Sequence, residues 1–186
     1  MKRICLAICL CLSIMMSWAQ VDSRYDKGSV TVVNGRVLFQ ETIPTTLDQA
    51  VAFERIGQWA KQRFSKPNVI ISKVTSNDAT NHSLSLTAEE YIVFTDRFFV
   101  LDRTRINYWV ELQCHEGGAT IKLTRINYWY EEEREGGLKF SAEEFITDEN
   151  AFNKKGKLLK EQGKFRKGTI DFFDRCVAEM TKVLND

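Results

Sequence analysis

The sequence predicts an α+β domain in which a curved antiparallel sheet of about five strands carries two long helices on one face. Two runs of alternating apolar and polar residues flank the turn residues 116–118, as in a β-hairpin. Apolar residues recur every three or four positions near residues 53–64 and again near the C-terminus, as on the buried face of a helix. The predicted order of elements is β-α-β-β-β-β-α.

The first strand and the first helix are predicted before residue 65. Residues 29–43 are rich in valine and contain an Asn-Gly pair that favours a bend or a turn. Thr46 and Gln49 have the spacing of a capping box, which predicts the start of a helix. Gly57 lies within this helix and allows a neighbouring element to approach it closely. The apolar stripe of the helix consists of Phe53, Ile56, Ala60 and Phe64.

The middle of the chain is predicted to be mostly β-structure. Residues 69–74 are rich in β-branched side chains and residues 83–95 alternate, so each segment is predicted to form a strand. Residues 104–130 form the hairpin. Residues 96–103 are either the end of the preceding strand or a loop on the core, and residues 138–148 are either a strand or a short helix.

A second long helix is predicted at the C-terminus. Thr169 is a candidate N-cap for this helix. Its apolar residues follow at spacings of three and four, which predicts a face packed against the sheet. These residues are Ile170, Phe173, Val177, Met180 and Leu184.

The N-terminus has the pattern of a secretory signal peptide. Two basic residues precede an apolar run and a small-residue site, so residues 1–19 are predicted to be removed by cleavage between Ala19 and Gln20. The apolar run is shorter than the roughly 20 residues that span a membrane. We therefore expect an exported protein without a transmembrane segment in the mature chain.

The mature chain is expected to contain a single domain. Residues 20–28 are predicted to be a flexible leader, and residues 29–186 are predicted to form one α+β domain with an insertion at residues 131–168. Cleavage lowers the formal charge of the chain from +1 to −1, because Lys2 and Arg3 are removed. A slightly acidic chain does not neutralise phosphates, so no nucleic-acid partner is expected.

Two cysteines, Cys114 and Cys176, are expected to remain after cleavage. Such a pair can form a disulfide in the oxidising environment outside the cytosol, but a disulfide requires a geometry that the sequence does not define. Either a disulfide or two buried free thiols therefore agree with the sequence.

An exact repeat supplies the candidate binding site. Residues 104–109 recur without change as residues 124–129, one copy on each arm of the hairpin. Side chains alternate between the faces of a strand, so each copy places one aromatic ring on each face of the sheet. The face that does not pack on the helices is either a binding platform or is covered by residues 131–168. The candidate ligand-binding residues are Arg105, Tyr108, Trp109, Arg125, Tyr128 and Trp129.

No catalytic, metal or cofactor motif is recognised in the sequence. The only histidines are His82 and His115. Cys114 precedes His115, but adjacent side chains of a strand point to opposite faces and cannot share a proton. We therefore predict no catalytic residue, no metal ligand and no cofactor. An alternative is an envelope hydrolase or transferase with paired carboxylates, drawn from Glu89, Glu90, Glu143 and Glu144.

A basic segment follows an acidic one in the last third of the chain. Residues 131–135 contain four glutamates, whereas residues 154–167 contain seven basic residues. The basic segment is either a solvated face or a contact with an anionic surface such as lipid headgroups. The candidate contact residues are Lys154, Lys155, Lys157, Lys160 and Lys164.

Three segments carry a family resemblance: residues 35–43, the pair Gln58 and Trp59, and the hairpin of residues 110–118, followed by a returning strand to residue 131. They resemble a family of exported bacterial domains of unknown function with a TATA-binding-protein-like (TBP-like) fold. The resemblance covers about residues 30–130 and the last helix. It implies the TBP-like fold and a periplasmic or extracellular location in the bacterial envelope, and it implies no catalytic residues because the family has none assigned.

The expected function is that of an exported, non-catalytic binding or interaction domain. Its ligand is either apolar or amphipathic, and its partner is either an unknown envelope protein or a small apolar molecule. A purely structural subunit is a further possibility. The sequence does not define the oligomeric state.

Overall fold

The computed structural model describes residues 23–98 and 100–186. Within these residues the chain forms one antiparallel sheet of seven strands, in the order β1-β2-β6-β5-β4-β3, and β7 pairs with β6. The strands are β1 (Thr31–Val33), β2 (Arg36–Pro44), β3 (Val69–Asp78), β4 (Ser83–Arg97), β5 (Val100–His115), β6 (Gly118–Tyr130) and β7 (Leu138–Ser141).

Two long helices pack on one face of this sheet. The long helices are α1 (Gln49–Arg63) and α4 (Lys160–Asn185). Two short helices, α2 (Ala142–Phe145) and α3 (Asp148–Ala151), lie between them in the sequence. The long helices α1 and α4 pack on each other and on the central strands, and this face of the sheet holds the hydrophobic core. We call it the helix face and the opposite side the outer face. The α+β prediction is confirmed.

The sheet has more strands than the five predicted. The Asn34-Gly35 pair forms a turn that separates β1 from β2. Residues 138–148, for which strand and helix were both open, contain both: β7 is followed directly by α2. Residues 96–97 end β4 and residues 100–103 begin β5, and these two strands pair as a hairpin.

Helix α1 begins at a different cap from the predicted one. Asp48 is the N-cap, and its Oδ1 accepts a hydrogen bond from the amide of Ala50 at 2.8 Å. The predicted cap, Thr46, precedes the helix, and its neighbour Thr45 is buried and donates to the carbonyl of Leu184 at 2.8 Å. Thr45, in the connection that follows β2, is thus hydrogen-bonded to α4. Asp48, later in the same connection, caps α1.

Helix α4 begins at Lys160, well before the predicted cap Thr169. Thr169 lies inside the helix and donates to the carbonyl of Phe165 at 2.8 Å. Gly163 and Gly168 disfavour helix in the sequence. In the structure, a Cβ atom on Gly168 would lie 2.9 Å from side-chain atoms of Ile92 and Phe94, so this glycine allows α4 to approach β4 closely. Tertiary packing therefore outweighs the low local propensity.

Residues 23–28, part of the predicted flexible leader, contact the body of the domain. Ser23–Tyr25 forms a 3-10 helix. The buried side chain of Arg166 donates to the carbonyl oxygens of Tyr25 and Asp26. The predicted signal peptide and its cleavage site lie outside the described residues.

A buried ion pair connects the sheet to α1. The side chain of Glu90 on β4 is 2% exposed, and that of Arg63 at the end of α1 is 8% exposed. Nη2 of Arg63 donates to both carboxylate oxygens of Glu90 at 3.0 Å, and Asn68 donates to Oε2 at 2.8 Å. The hydroxyl of Tyr108 on β5 donates to Oε1. One carboxylate thus joins two strands, a helix and the connection that follows it.

The charge of Arg63 is stabilised by further contacts. Burial by itself lowers the pKa of Arg63, but Cys176 in its ionised form and the Glu90 carboxylate raise it above the usual value. The guanidinium carbon lies 5.4 Å from the ring centroid of Phe64 and 5.7 Å from that of Phe172. Its Nη1 is buried without a hydrogen-bond partner, and the guanidinium as a whole lies within cation–π range of both rings.

We expect Glu90→Gln to lower the free energy of unfolding by about 3–5 kcal/mol, because it removes the only buried counter-charge of Arg63 among the described residues and leaves the half-exposed Glu179 as its remaining ionic partner. Urea denaturation measures the change. The control Glu179→Gln removes a half-exposed partner of Arg63 and should cost about 1 kcal/mol or less. Equal losses in both variants would contradict the proposed importance of the buried pair.

Two helix glycines should respond oppositely to alanine. A Cβ atom on Gly57 of α1 would meet no other element within 4 Å, so Gly57→Ala should stabilise the protein by up to about 1 kcal/mol. Gly168→Ala should destabilise it by about 1–3 kcal/mol, because the methyl group meets Ile92 and Phe94. Thermal unfolding of both variants tests this, and a shift of the same sign in both would contradict it.

Candidate functional site

The two copies of the repeat meet across the β5–β6 pair. Asn107 lies opposite Asn127, and Arg105 lies opposite Trp129. Because the strands are antiparallel, the copies are related by a local twofold axis near the two asparagines. The side chains of these four residues point away from the helices, so the repeat forms part of the outer face.

A β-bulge breaks this symmetry and positions Arg125. Between the pairs Asn107–Asn127 and Trp109–Thr124, β6 has one residue more than β5. Arg125 lies in this bulge with φ of 53°, in the left-handed region that non-glycine residues rarely adopt. Its guanidinium carbon lies 4.1 Å from the ring centroid of Trp109. The bulge thus directs an additional cation onto the outer face.

Cations and rings alternate along the outer face. Arg103 lies 3.9 Å from the ring centroid of Tyr91, and Arg105 lies 5.9 Å from the same ring. Arg105 also lies 4.7 Å from the ring centroid of Trp129, and Lys139 lies 4.2 Å from it. These distances are within the range of cation–π attraction. The rings are therefore held in place by neighbouring strands.

Carboxylates complete the contacts of Arg105. Its Nη1 lies 2.8 Å from Glu89, and its Nη2 lies 2.6 Å from Glu132. Arg125 differs, because no carboxylate of the described residues forms an ion pair with it. Arg125 is thus an exposed cation that is held by a ring and is open to an acidic group from outside.

Tyr108 and Tyr128 were predicted as ligand contacts, and this prediction is wrong. Both lie on the helix face and are 0% and 2% exposed. Tyr108 donates to Glu90, and the hydroxyl of Tyr128 lies 2.6 Å from that of Thr169. Burial raises the pKa of both phenols. The period of two along each strand places these tyrosines with the core isoleucines, while the tryptophans face outward.

Lys164 does not belong to an exposed basic surface. Its Nζ lies 3.1 Å from Asp102, 3.0 Å from Glu161 and 2.9 Å from the hydroxyl of Tyr130. Burial lowers the pKa of Lys164, but these hydrogen bonds outweigh burial and raise it. The other predicted contact residues are exposed: Lys154, Lys155, Lys157 and Lys160. Their contact with an anionic surface stays a prediction.

The four candidate carboxylates have separate structural partners. Glu90 is buried on the helix face, and Glu89 pairs with Arg105 on the outer face. Glu143 accepts a hydrogen bond from the amide of Val37 at 2.8 Å, and Glu144 caps α2 through Ser141. Glu89 and Glu144 line one depression of 480 Å³ beside Trp129, but both already have partners there.

The two described cysteines are free and buried, on the helix face. Burial raises the pKa of Cys114 and of Cys176 to about 11, although Arg63 partly opposes the shift at Cys176. His115 follows Cys114 but points the other way, where its Nε2 lies 3.4 Å from the hydroxyl of Thr120. The predicted divergence of the Cys114 and His115 side chains is confirmed.

The described part of the chain has neither a metal-binding cluster nor a membrane-spanning helix. Within it, no group of three or more His, Cys, Asp or Glu side chains is arranged to hold a metal ion. No helix of that part is both long enough and apolar enough to cross a membrane.

Comparison with known proteins identifies the family. Residues 39–129 match the model of a domain of unknown function (DUF4468) with a TBP-like fold. A crystal structure of a DUF4468 family protein from Bacteroides ovatus ATCC 8483 has a TM-score of 0.80 and 30% identity, and the match covers 89% of this chain and 95% of that one. The chain belongs to the DUF4468 family.

A second structure shows the same fold. A TBP-like protein from Parabacteroides distasonis ATCC 8503 has a TM-score of 0.67 and 22% identity, and the match covers 83% of this DUF4468 chain and 96% of that one. No curated protein matches the sequence. The predicted resemblance and the TBP-like fold are confirmed, while the family description assigns no function to this DUF4468 domain.

Sequence reasoning missed part of the outer face and the buried ion pair. Three residues take part in the cation–π contacts of the outer face but lie outside the repeat: Tyr91, Arg103 and Lys139. Their outward direction follows from the alternation along β4, β5 and β7, once the pairing of these strands is known. The pairing of Arg63 with Glu90 has no local signal, because it joins a helix to a strand.

We expect both thiols of the native DUF4468 domain to resist a disulfide reagent at pH 8 and to react once urea unfolds the chain. Their folded pKa of about 11 exceeds the ordinary value of 9.0, so the stability they contribute is present below pH 9 and is lost as the pH rises through 11. The double variant with Cys114→Ala and Cys176→Ala should therefore lose less stability over this range. Equal losses of stability between pH 9 and pH 11 in the double variant and the unchanged protein would contradict the attribution of this pH dependence to the two thiols.

Proposed function

We propose that this DUF4468 domain is a non-catalytic interaction domain that binds a protein partner on the outer face of its sheet. The observation that carries the proposal is the bulge at Arg125, which holds an exposed guanidinium over Trp109. A left-handed non-glycine residue costs about 1–3 kcal/mol, and such strain is concentrated at functional sites. The backbone strain at Arg125 destabilises the fold, and a binding role for the guanidinium that it positions explains why such a strained residue is present.

The residue types on this face favour a protein partner. Tryptophan, tyrosine and arginine are the side chains most enriched among residues that dominate binding energy at protein interfaces. Trp109 and Trp129 are half-buried and are held by cations, so little side-chain entropy remains to be lost on binding. Arg125 has no carboxylate partner in the described chain, which favours an acidic group on the partner.

The proposed location is the bacterial envelope. This part of the proposal rests on the signal-peptide pattern of residues 1–19. The partner is accordingly proposed to be an envelope protein. The paired-carboxylate enzyme has less support, because Glu90 and Glu89 lie on opposite faces of the sheet with separate partners.

Site-specific photo-cross-linking in the native cells tests the proposal. A photoreactive residue in place of the exposed Asn107 should give a discrete protein adduct, and one in place of Gln58 on α1 should not give the same adduct. Arg125→Gly removes the cation and relieves the left-handed strain, so the fold is retained. It should reduce the adduct by at least about fivefold, as expected for a residue worth more than 1 kcal/mol.

The matched control is Arg175→Gln, which removes an exposed arginine from α4 and should leave the adduct unchanged. Loss of the adduct in both variants would show a general charge effect and would contradict the role of Arg125. The absence of any adduct at position 107, or the same adduct from position 58, would overturn the proposal.

A further inference from the structure

A second concave surface lies on the other side of the sheet, between α1 and the β3–β4 edge. It is a cleft of 430 Å³, within the range of about 300–1,000 Å³ that is typical of small-molecule sites. Its apolar lining comes from α1, from the residue that ends α1, and from the two strands. These residues are Phe53, Ala60, Phe64, Val74, Leu84 and Leu86.

Gly57 keeps the cleft open. It lines the cleft, and a Cβ atom at this position would meet no other element within 4 Å. The sequence predicted that this glycine allows a neighbouring element to approach, but no element of the described chain does so. Glycine within a helix is less stable than alanine. The helix therefore gives up stability at a position where the only structural gain is empty space.

The strand side of the cleft is an uncovered sheet edge. β3 is the last strand of the sheet, and Val74 on it is 58% exposed while it lines the cleft. Ile70, near the start of β3, is 42% exposed. A ligand that removes apolar surface of this kind from water makes its free energy of binding more favourable.

The charges of the cleft favour an anion. Three charged residues border it, Lys61, Lys73 and Glu54. Lys73 lies opposite Thr87, so its side chain points to the outer face, and Glu54 accepts a hydrogen bond from Gln58 at 3.3 Å. Lys61 forms no ion pair with a described carboxylate, so it supplies a cation at the rim, next to an apolar floor.

From these observations we infer that the cleft binds a single-chain amphipathic carboxylate, such as a medium-chain fatty acid. The alkyl chain lies along Gly57 between Phe64 and Leu86, and the carboxylate lies at the lysine side. This site is separate from the outer face and does not depend on the protein partner proposed above.

Calorimetric titration with decanoate, below its micelle concentration, tests the inference. The full chain should bind decanoate in a 1:1 ratio. Gly57→Leu fills the cleft and improves helix propensity, so the variant should fold and bind at least about tenfold more weakly, since each buried methylene contributes about 0.8 kcal/mol. Gln62→Leu, at an exposed position of α1 that does not line the cleft, is the matched control and should bind as the unchanged protein does.

Lys61→Gln tests the position of the carboxylate without touching the core, because Lys61 is exposed. It should weaken decanoate binding about threefold to tenfold and leave decanol binding unchanged. Arg125→Gly should bind decanoate normally, so failure of the outer-face proposal and failure of this one are distinguishable. No decanoate binding by the unchanged protein, or equal binding by Gly57→Leu, would overturn the inference.

Discussion

A single buried carboxylate determines how α1 fits onto the sheet. Glu90 accepts hydrogen bonds from Arg63, Asn68 and Tyr108, which belong to α1, to the connection after it and to β5. A buried charge is tolerated only when its partners are in place, so α1 has one favourable position on the sheet. The apolar contacts around it contribute most of the burial, but they are less specific about position.

The same constraint defines the outer face. With Tyr108 directed at Glu90, its neighbours Asn107 and Trp109 must point away from the helices. Trp109 then lies beside the bulge in β6, where Arg125 covers its ring. The core and the candidate interface are thus opposite sides of one strand, and the register of that strand is determined by a contact in the core.

The sequence predicted the sheet better than the ends of its helices. Alternation over residues 104–130 was sufficient for the hairpin, because the period of two is a property of the strand itself. The start of α4 was misplaced at Thr169, because local propensity gives no information about the close contact of Gly168 with Ile92. Four of the six predicted ligand residues lie on the outer face, and the two tyrosines do not.

The sequence by itself determined the α+β class, the hairpin and the family, since each depends on residues that are close together along the chain. The tertiary structure alone decided which aromatic rings face outward, where Arg125 points, and that Gly57 opens onto a cleft. These features depend on contacts between distant segments, such as Arg63 with Glu90. The energies of such contacts depend on burial, which only the folded chain establishes.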